Sequence, residues 1–165
     1  MSFHFIEEKV EDALASVILS QTGGNLSGTL IVGGSLDGFN LYKGFSLEDM
    51  DFPAVTVSAV SARPNEPRLD AASGNQLVTV RVQVMGNKGD ATTTRSAHAS
   101  AAGAVRDVLY IDDDTQAGTG LAVAMNAVGV ESFTVMRTFP GASTRGVQGG
   151  MIVTETSVDV KCYPN

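Results

Sequence analysis

The chain has 165 residues, 43% of them hydrophobic and 18% charged, with 11 Lys+Arg against 18 Asp+Glu for a net charge of −7. One domain accommodates this length, and a chain of this size buries about 70% of its unfolded surface without a disulfide or metal to hold it. The single Cys162 cannot pair within the chain, the acidic balance lacks the basic patch a nucleic-acid binder needs, and no apolar run approaches the ~20 residues of a membrane helix.

Phe5, Ile6, Val10, Ala13, Leu14, Val17 and Ile18 recur at helical spacing, with Glu7, Glu8, Lys9, Glu11 and Asp12 largely on the other side. The spacing predicts an amphipathic helix of about four turns. Its acids fall in the first half, where the helix dipole favours them, and Gln21-Thr22-Gly23-Gly24-Asn25 ends it. The start, Met1-Ser2-Phe3-His4-Phe5-Ile6-Glu7-Glu8, lacks the basic region of a signal peptide, so the chain reads as an intracellular product. Thr29-Leu30-Ile31-Val32 and Phe39-Asn40-Leu41-Tyr42 flank the glycine-rich Gly33 to Gly38 and predict a hairpin. Residues 22–50 are thus expected to form an inserted extension, with Gly44 to Asp51 as a connector.

Phe52-Pro53 opens a strand, because Pro keeps the preceding residue extended. Ala54 to Val60 alternates at period two, until Arg63-Pro64-Asn65-Glu66-Pro67 interrupts the pairing. From Leu77 to Met85, Val78, Val80, Val82 and Val84 face one way and Thr79, Arg81 and Gln83 the other, as in a sheet with one buried and one wet face. Gly86 to Asp90 is a turn, with Asp90 placed to cap the next helix. There Ala97, Ala101, Ala104, Val105, Val108 and Leu109 form the apolar stripe. Asp112 to Gly120 is a polar loop, Leu121 to Ala127 a helical turn, Val130 to Phe139 a strand, Pro140 to Gly150 a loop and Met151 to Cys162 the last strand. The whole predicts a single α+β domain over 1–165. It is a two-layer sandwich whose mostly antiparallel sheet has about four strands, with two main helices on one face and the hairpin as an extra extension.

No catalytic, cofactor or metal set can be nominated. A calcium loop counted from Asp112 needs Gly at its sixth position and an acid at its twelfth, and these are Ala117 and Val123. Neither Gly33-Gly34-Ser35 nor Gly86-Asn87-Lys88-Gly89 continues into the Lys-Ser/Thr of a phosphate loop. His98 as a general base would need a nucleophile and an orienting acid, and Ser96 and Ser100 do not share its helical face. It reads as a packing or interface histidine. Cys162, on the apolar parity of its strand, reads as a buried small side chain.

Two glycine-rich stretches carry the candidate binding residues. Leu30, Val32, Phe39 and Tyr42 of the hairpin need something to lie on, since a lone hairpin is marginal in water. They either fold back on their own core or lie on a neighbouring subunit. Arg145 and Gln148 belong to the Pro140–Gly150 loop, which is expected to be mobile when free and ordered by a partner.

In its element order the chain resembles the tail-terminator proteins of long-tailed bacteriophages and the related small neck and tail-completion proteins. The matching parts are the opening helix (Phe5–Leu19), Phe52-Pro53-Ala54-Val55 entering a strand, the valine-alternating strand (Leu77–Met85), the helix carrying His98 and Val105, and two late strands ending at Cys162. The match covers most of the chain except residues 22–50. The resemblance implies a structural, non-enzymatic virion protein that forms a homo-oligomeric ring, commonly a hexamer. Such a ring stacks on the last ring of the tail tube protein, ends its growth and offers its other face to the head-side connector. DNA would pass through the bore without sequence-specific binding. Assembly would take place in the host cytoplasm, and no membrane is involved. A head–tail connector, a minor tail or tail-completion protein, or another non-enzymatic assembly module is the alternative.

Overall fold

The valine alternation of residues 77–85 becomes an interior strand of a mixed sheet in the computed structural model, which describes residues 6–44, 50–64, 75–87, 91–111, 120–129 and 133–164. In chain order the elements are α1 (Ile6–Gln21), β1 (Asn25–Ser27), β2 (Leu30–Val32), a 3₁₀ turn (Gly34–Leu36), β3 (Asn40–Lys43), β4 (Ala54–Pro64), β5 (Gln76–Met85), α2 (Ala91–Leu109), α3 (Leu121–Val128), β6 (Phe133–Gln148) and β7 (Met151–Pro164). The sheet runs β1-β2-β3-β4-β5-β7-β6. Its neighbours are antiparallel except β3 and β4, which run parallel with Leu41 beside Val55.

One face of this sheet carries the core. Val55, Val57 and Ala59 of β4, Val78, Val80, Val82 and Val84 of β5, and Val158, Val160 and Cys162 of β7 are all buried. Their partners across each ladder share that face. The helices cover it. α1 packs mainly on β4 through Ile6, Val10, Leu14, Val17 and Ile18, α2 reaches β7 and β5, and α3 lies on β6 and against α1. α2 buries His98, Ala101, Ala102, Val105, Val108 and Leu109, a run at i, i+3, i+4, i+7, i+10 and i+11. The stripe is therefore phased on His98, not on Ala97, which is exposed.

The opposite face is polar and half-buried. Thr79 Oγ1 donates to Asp159 Oδ1 at 2.6 Å, and Gln83 Nε2 donates to Glu155 Oε2 at 2.9 Å. Arg81 Nε lies 3.0 Å from Glu155 Oε1, a charge contact without hydrogen-bond alignment. These cross-strand pairs fix the register and let the face stay wet.

Three expectations are corrected. The sheet has seven strands among the described residues, not about four, and it is mixed; three helices, not two, cover its face. The predicted hairpin is not an appendage to a smaller sheet. β1, β2 and β3 extend it, and Ile31, Leu36, Phe39 and Leu41 enter the common core. The physical reason is the parallel β3–β4 pairing. It brings residues 40–43 alongside Ala54 to Val57, and the glycine turn folds down onto the end of α1, where Ser35 N–H donates to Thr22 O at 2.9 Å. Gly34 sits there at φ 71°, and a Cβ on it would collide with Thr22 O. Finally, Pro140–Gly150 is not a loop. β6 runs through Pro140 to Gln148, paired with β7, and turns at Gly149-Gly150, both at positive φ as a two-residue hairpin requires. Pro140 and Gly141 sit at a register shift, where a strand absorbs residues that cannot follow the regular ladder.

β4 likewise runs on to Pro64, and Asn65 to Pro67 lie outside the described residues. Also outside them are His4, Phe5, the acidic run Asp112 to Asp114, Gly89-Asp90, and Val130 to Ser132 at the predicted start of the third long strand.

Candidate functional site

Neither the buried histidine nor the cysteine is placed for chemistry. His98 is 1% exposed; its Nε2 lies 2.8 Å from Thr154 Oγ1, and Nδ1 has no hydrogen-bond partner among the described residues. Burial, then the charge of Arg145, holds its pKa below the ordinary imidazole value. The ring is therefore neutral at physiological pH and joins α2 to β7. Cys162 is buried in the core, and burial pushes its thiol up to about 12. It stands eight residues along β7 from Thr154, roughly 25 Å at the rise of an extended strand, so the two groups form no pair.

The edges of the sheet are handled with more care than its faces. Where β3 ends, Ala59 N–H of β4 is met by a carboxylate: Glu11 Oε1 accepts it at 2.8 Å. Burial raises the Glu11 pKa, the amide hydrogen bond opposes that shift, and Asp12, Glu8 and Glu7 add to it. Glu7, Glu8, Glu11 and Asp12 line an open cleft there with Lys43 and Ala59, and Lys43 Nζ reaches Asp12 Oδ1 at 2.9 Å. On the far edge, Asn126 of α3 clamps Val135 of β6. It accepts from Val135 N–H at 2.9 Å and donates to Val135 O at 2.8 Å, taking the place of a neighbouring strand. Farther along β6, Tyr110 O–H donates to Gly141 O at 2.8 Å. From Ala142 to Gln148 no such cap is present among the described residues.

The predicted interface residues divide between core and surface. Phe39 is buried in the core. Tyr42 is half-buried, and its oxygen accepts the Asp51 N–H at 2.8 Å. Leu30 and Val32 are exposed on the polar side of β2, at one end of the sheet. Arg145 and Gln148 are exposed on β6, at the other end, with Arg145 opposite Thr154 on the helix-covered side. The structure thus keeps Phe39 in the core and sets the exposed Leu30 and Val32 toward one end of the sheet, one strand in from β1, with Arg145 and Gln148 on the β6 edge at the other. Sequence reasoning missed Leu26 on β1 and Val147 on β6, both large, apolar and exposed. Neither sits in a periodic pattern that would have marked it.

Among the described residues, no three His, Cys, Asp or Glu side chains cluster as a metal site would need, and no helix is long and apolar enough to cross a membrane. No protein-family model matches the chain, and no curated protein matches it.

Proposed function

We propose that the chain is a structural ring component of a long-tailed phage neck, a virion protein that caps the tail tube and meets the head-side connector. The observation that carries this reading is the open sheet. Helices cover one face, polar pairs finish the other, and β1 and β6 stand at the two ends, each with one neighbouring strand among the described residues. Such edges associate with further strands unless they are blocked, and a head-to-tail contact between unlike surfaces closes into a ring when the rotation allows. The groups that could have argued for catalysis, His98 and Cys162, are buried apart from each other. The resemblance in element order supplies the tail-terminator role, the hexamer and the conducted DNA. The reading is tested by negative-stain imaging and light scattering of the purified chain, alone and with tail tubes. Rings, or caps on tube ends, are expected. A monomer indifferent to tubes would overturn the reading, and binding to the head-side connector alone would favour a connector role.

A further inference from the structure

We infer that residues 142–148 of β6 form the docking strand for β1 of a second copy, building one continuous sheet across the junction; this rests on the ring reading above and names its contact. Four observations converge. The first is selective capping. The inner half of the β6 edge has its backbone occupied by Asn126 at Val135 and by Tyr110 at Gly141, while residues 142–148 carry no cap among the described residues. A fold that blocks one half of an edge strand and leaves the other half bare leaves room for a strand beside the bare half.

The second is direction. Following the ladder from β1, the strands run up, down, up, up, down, up and down to β6. β1 and β6 are therefore opposed. A second copy set beside the first in the same orientation, helices on the same side, presents its β1 antiparallel to β6, the pairing that gives perpendicular hydrogen bonds.

The third is the side chains. Val147 pairs with Ile152 and Leu26 with Ile31, which puts both on the helix-covered side of the sheet. Val147 is 72% exposed and Leu26 47%. In the continuous sheet these two apolar side chains come to the same face at the junction and cover each other.

The fourth is charge. Residues 20–42 contain a single charged side chain, Asp37, and residues 138–154 a single one, Arg145. Asp37 belongs to the turn between β2 and β3, so β1 itself is uncharged and meets the single Arg145 without the repulsion that the net charge of −7 imposes elsewhere. The competing arrangement, β6 on β6 about a two-fold axis, places Arg145 at the centre of 142–148 opposite its own copy, and like charges directly opposite destabilise a ladder.

The test uses two single variants of the full chain, Leu26→Cys and Val147→Cys, joined with a short bismaleimide. Cys162 stays silent because it is buried with its thiol pushed up to about 12. Both sites are exposed, so melting temperatures should match the parent, which checks the fold. Covalent dimer is expected from the mixture and none from either variant alone. Dimer from Val147→Cys alone assigns the two-fold pairing and overturns the inference. No dimer from the mixture, with light scattering still showing rings, overturns the edge assignment and leaves the ring reading standing. A chain that scatters as a monomer at every concentration overturns both.

Discussion

His98 shows how a residue that looks chemical serves packing. Its imidazole fills the α2 stripe and touches Thr154, and Nδ1, without a hydrogen-bond partner among the described residues, makes a buried positive charge costly. The unfolded chain takes up the proton near pH 6.5, whereas the folded ring, its pKa lowered, resists it. Below 6.5 the unfolded state therefore binds more protons, so the stability from this site is complete above that pH and is lost as pH falls through it. Glu11 has the opposite sign. Its carboxyl is raised from 4.5, so between 4.5 and its folded value the native state holds the extra proton, and this contribution falls as pH rises. Comparing the parent with His98→Gln removes the Glu11 term from the difference. The variant should melt lower at neutrality, by about 1–2 kcal/mol for the lost contact, and its melting temperature should fall less steeply on acidification below 6.5. Parallel slopes would show that the ring titrates alike in both states. The sequence placed His98 beside the stripe, not in it, because Ala97 is as compatible with the periodicity; only the register of α2 against β7 separates the two.

At the scale of elements, the glycine-rich region from β1 to β3 serves both the core and the rim. Leu30 lies on β2 and Phe39 directly precedes β3, yet one is surface and the other core. Phe39→Ser should therefore cost on the order of 3–5 kcal/mol of folding stability, as truncation of a buried aromatic does. Leu30→Ser should stay within ~0.5 kcal/mol of the parent while weakening self-association. Calorimetry and sedimentation on the two variants separate these outcomes. A large drop in melting temperature for Leu30→Ser would place that side chain in the core as well. The strands themselves differ in how far they could be read. β5, buried on one face along its length, shows its alternation from Val78 to Val84. β6 beyond Phe139 is largely exposed on both faces, so nothing selects a period of two there, and Pro140, Gly141 and Gly146 read as loop residues. The β3–β4 pairing was illegible for another reason. Parallel neighbours leave no short-turn signature, and strands that follow one another in sequence suggest antiparallel hairpins. The candidate residues on β2 and β6 were legible as neighbours of glycine-rich stretches, but not the fact that they stand toward opposite ends of one sheet.

For the molecule as a whole, charge bears on the proposed meeting of its copies. Each carries −7, so at low ionic strength two copies repel before any edge can pair. Of the rims proposed to join, β1 holds no charge and residues 142–148 of β6 hold one, Arg145; both otherwise offer backbone hydrogen bonds and the side chains of Leu26 and Val147. Salt shortens the reach of the repulsion from about 30 Å at 0.01 M to about 3 Å at 1 M, and it leaves main-chain pairing and apolar contact largely intact. Association should therefore strengthen as salt rises, with sedimentation moving toward larger species across that range. Dissociation at high salt would be the informative failure. It would mean that ion pairs hold the copies together, and the acid row of α1, Glu7, Glu8 and Asp12, would then be the surface that meets the neighbour.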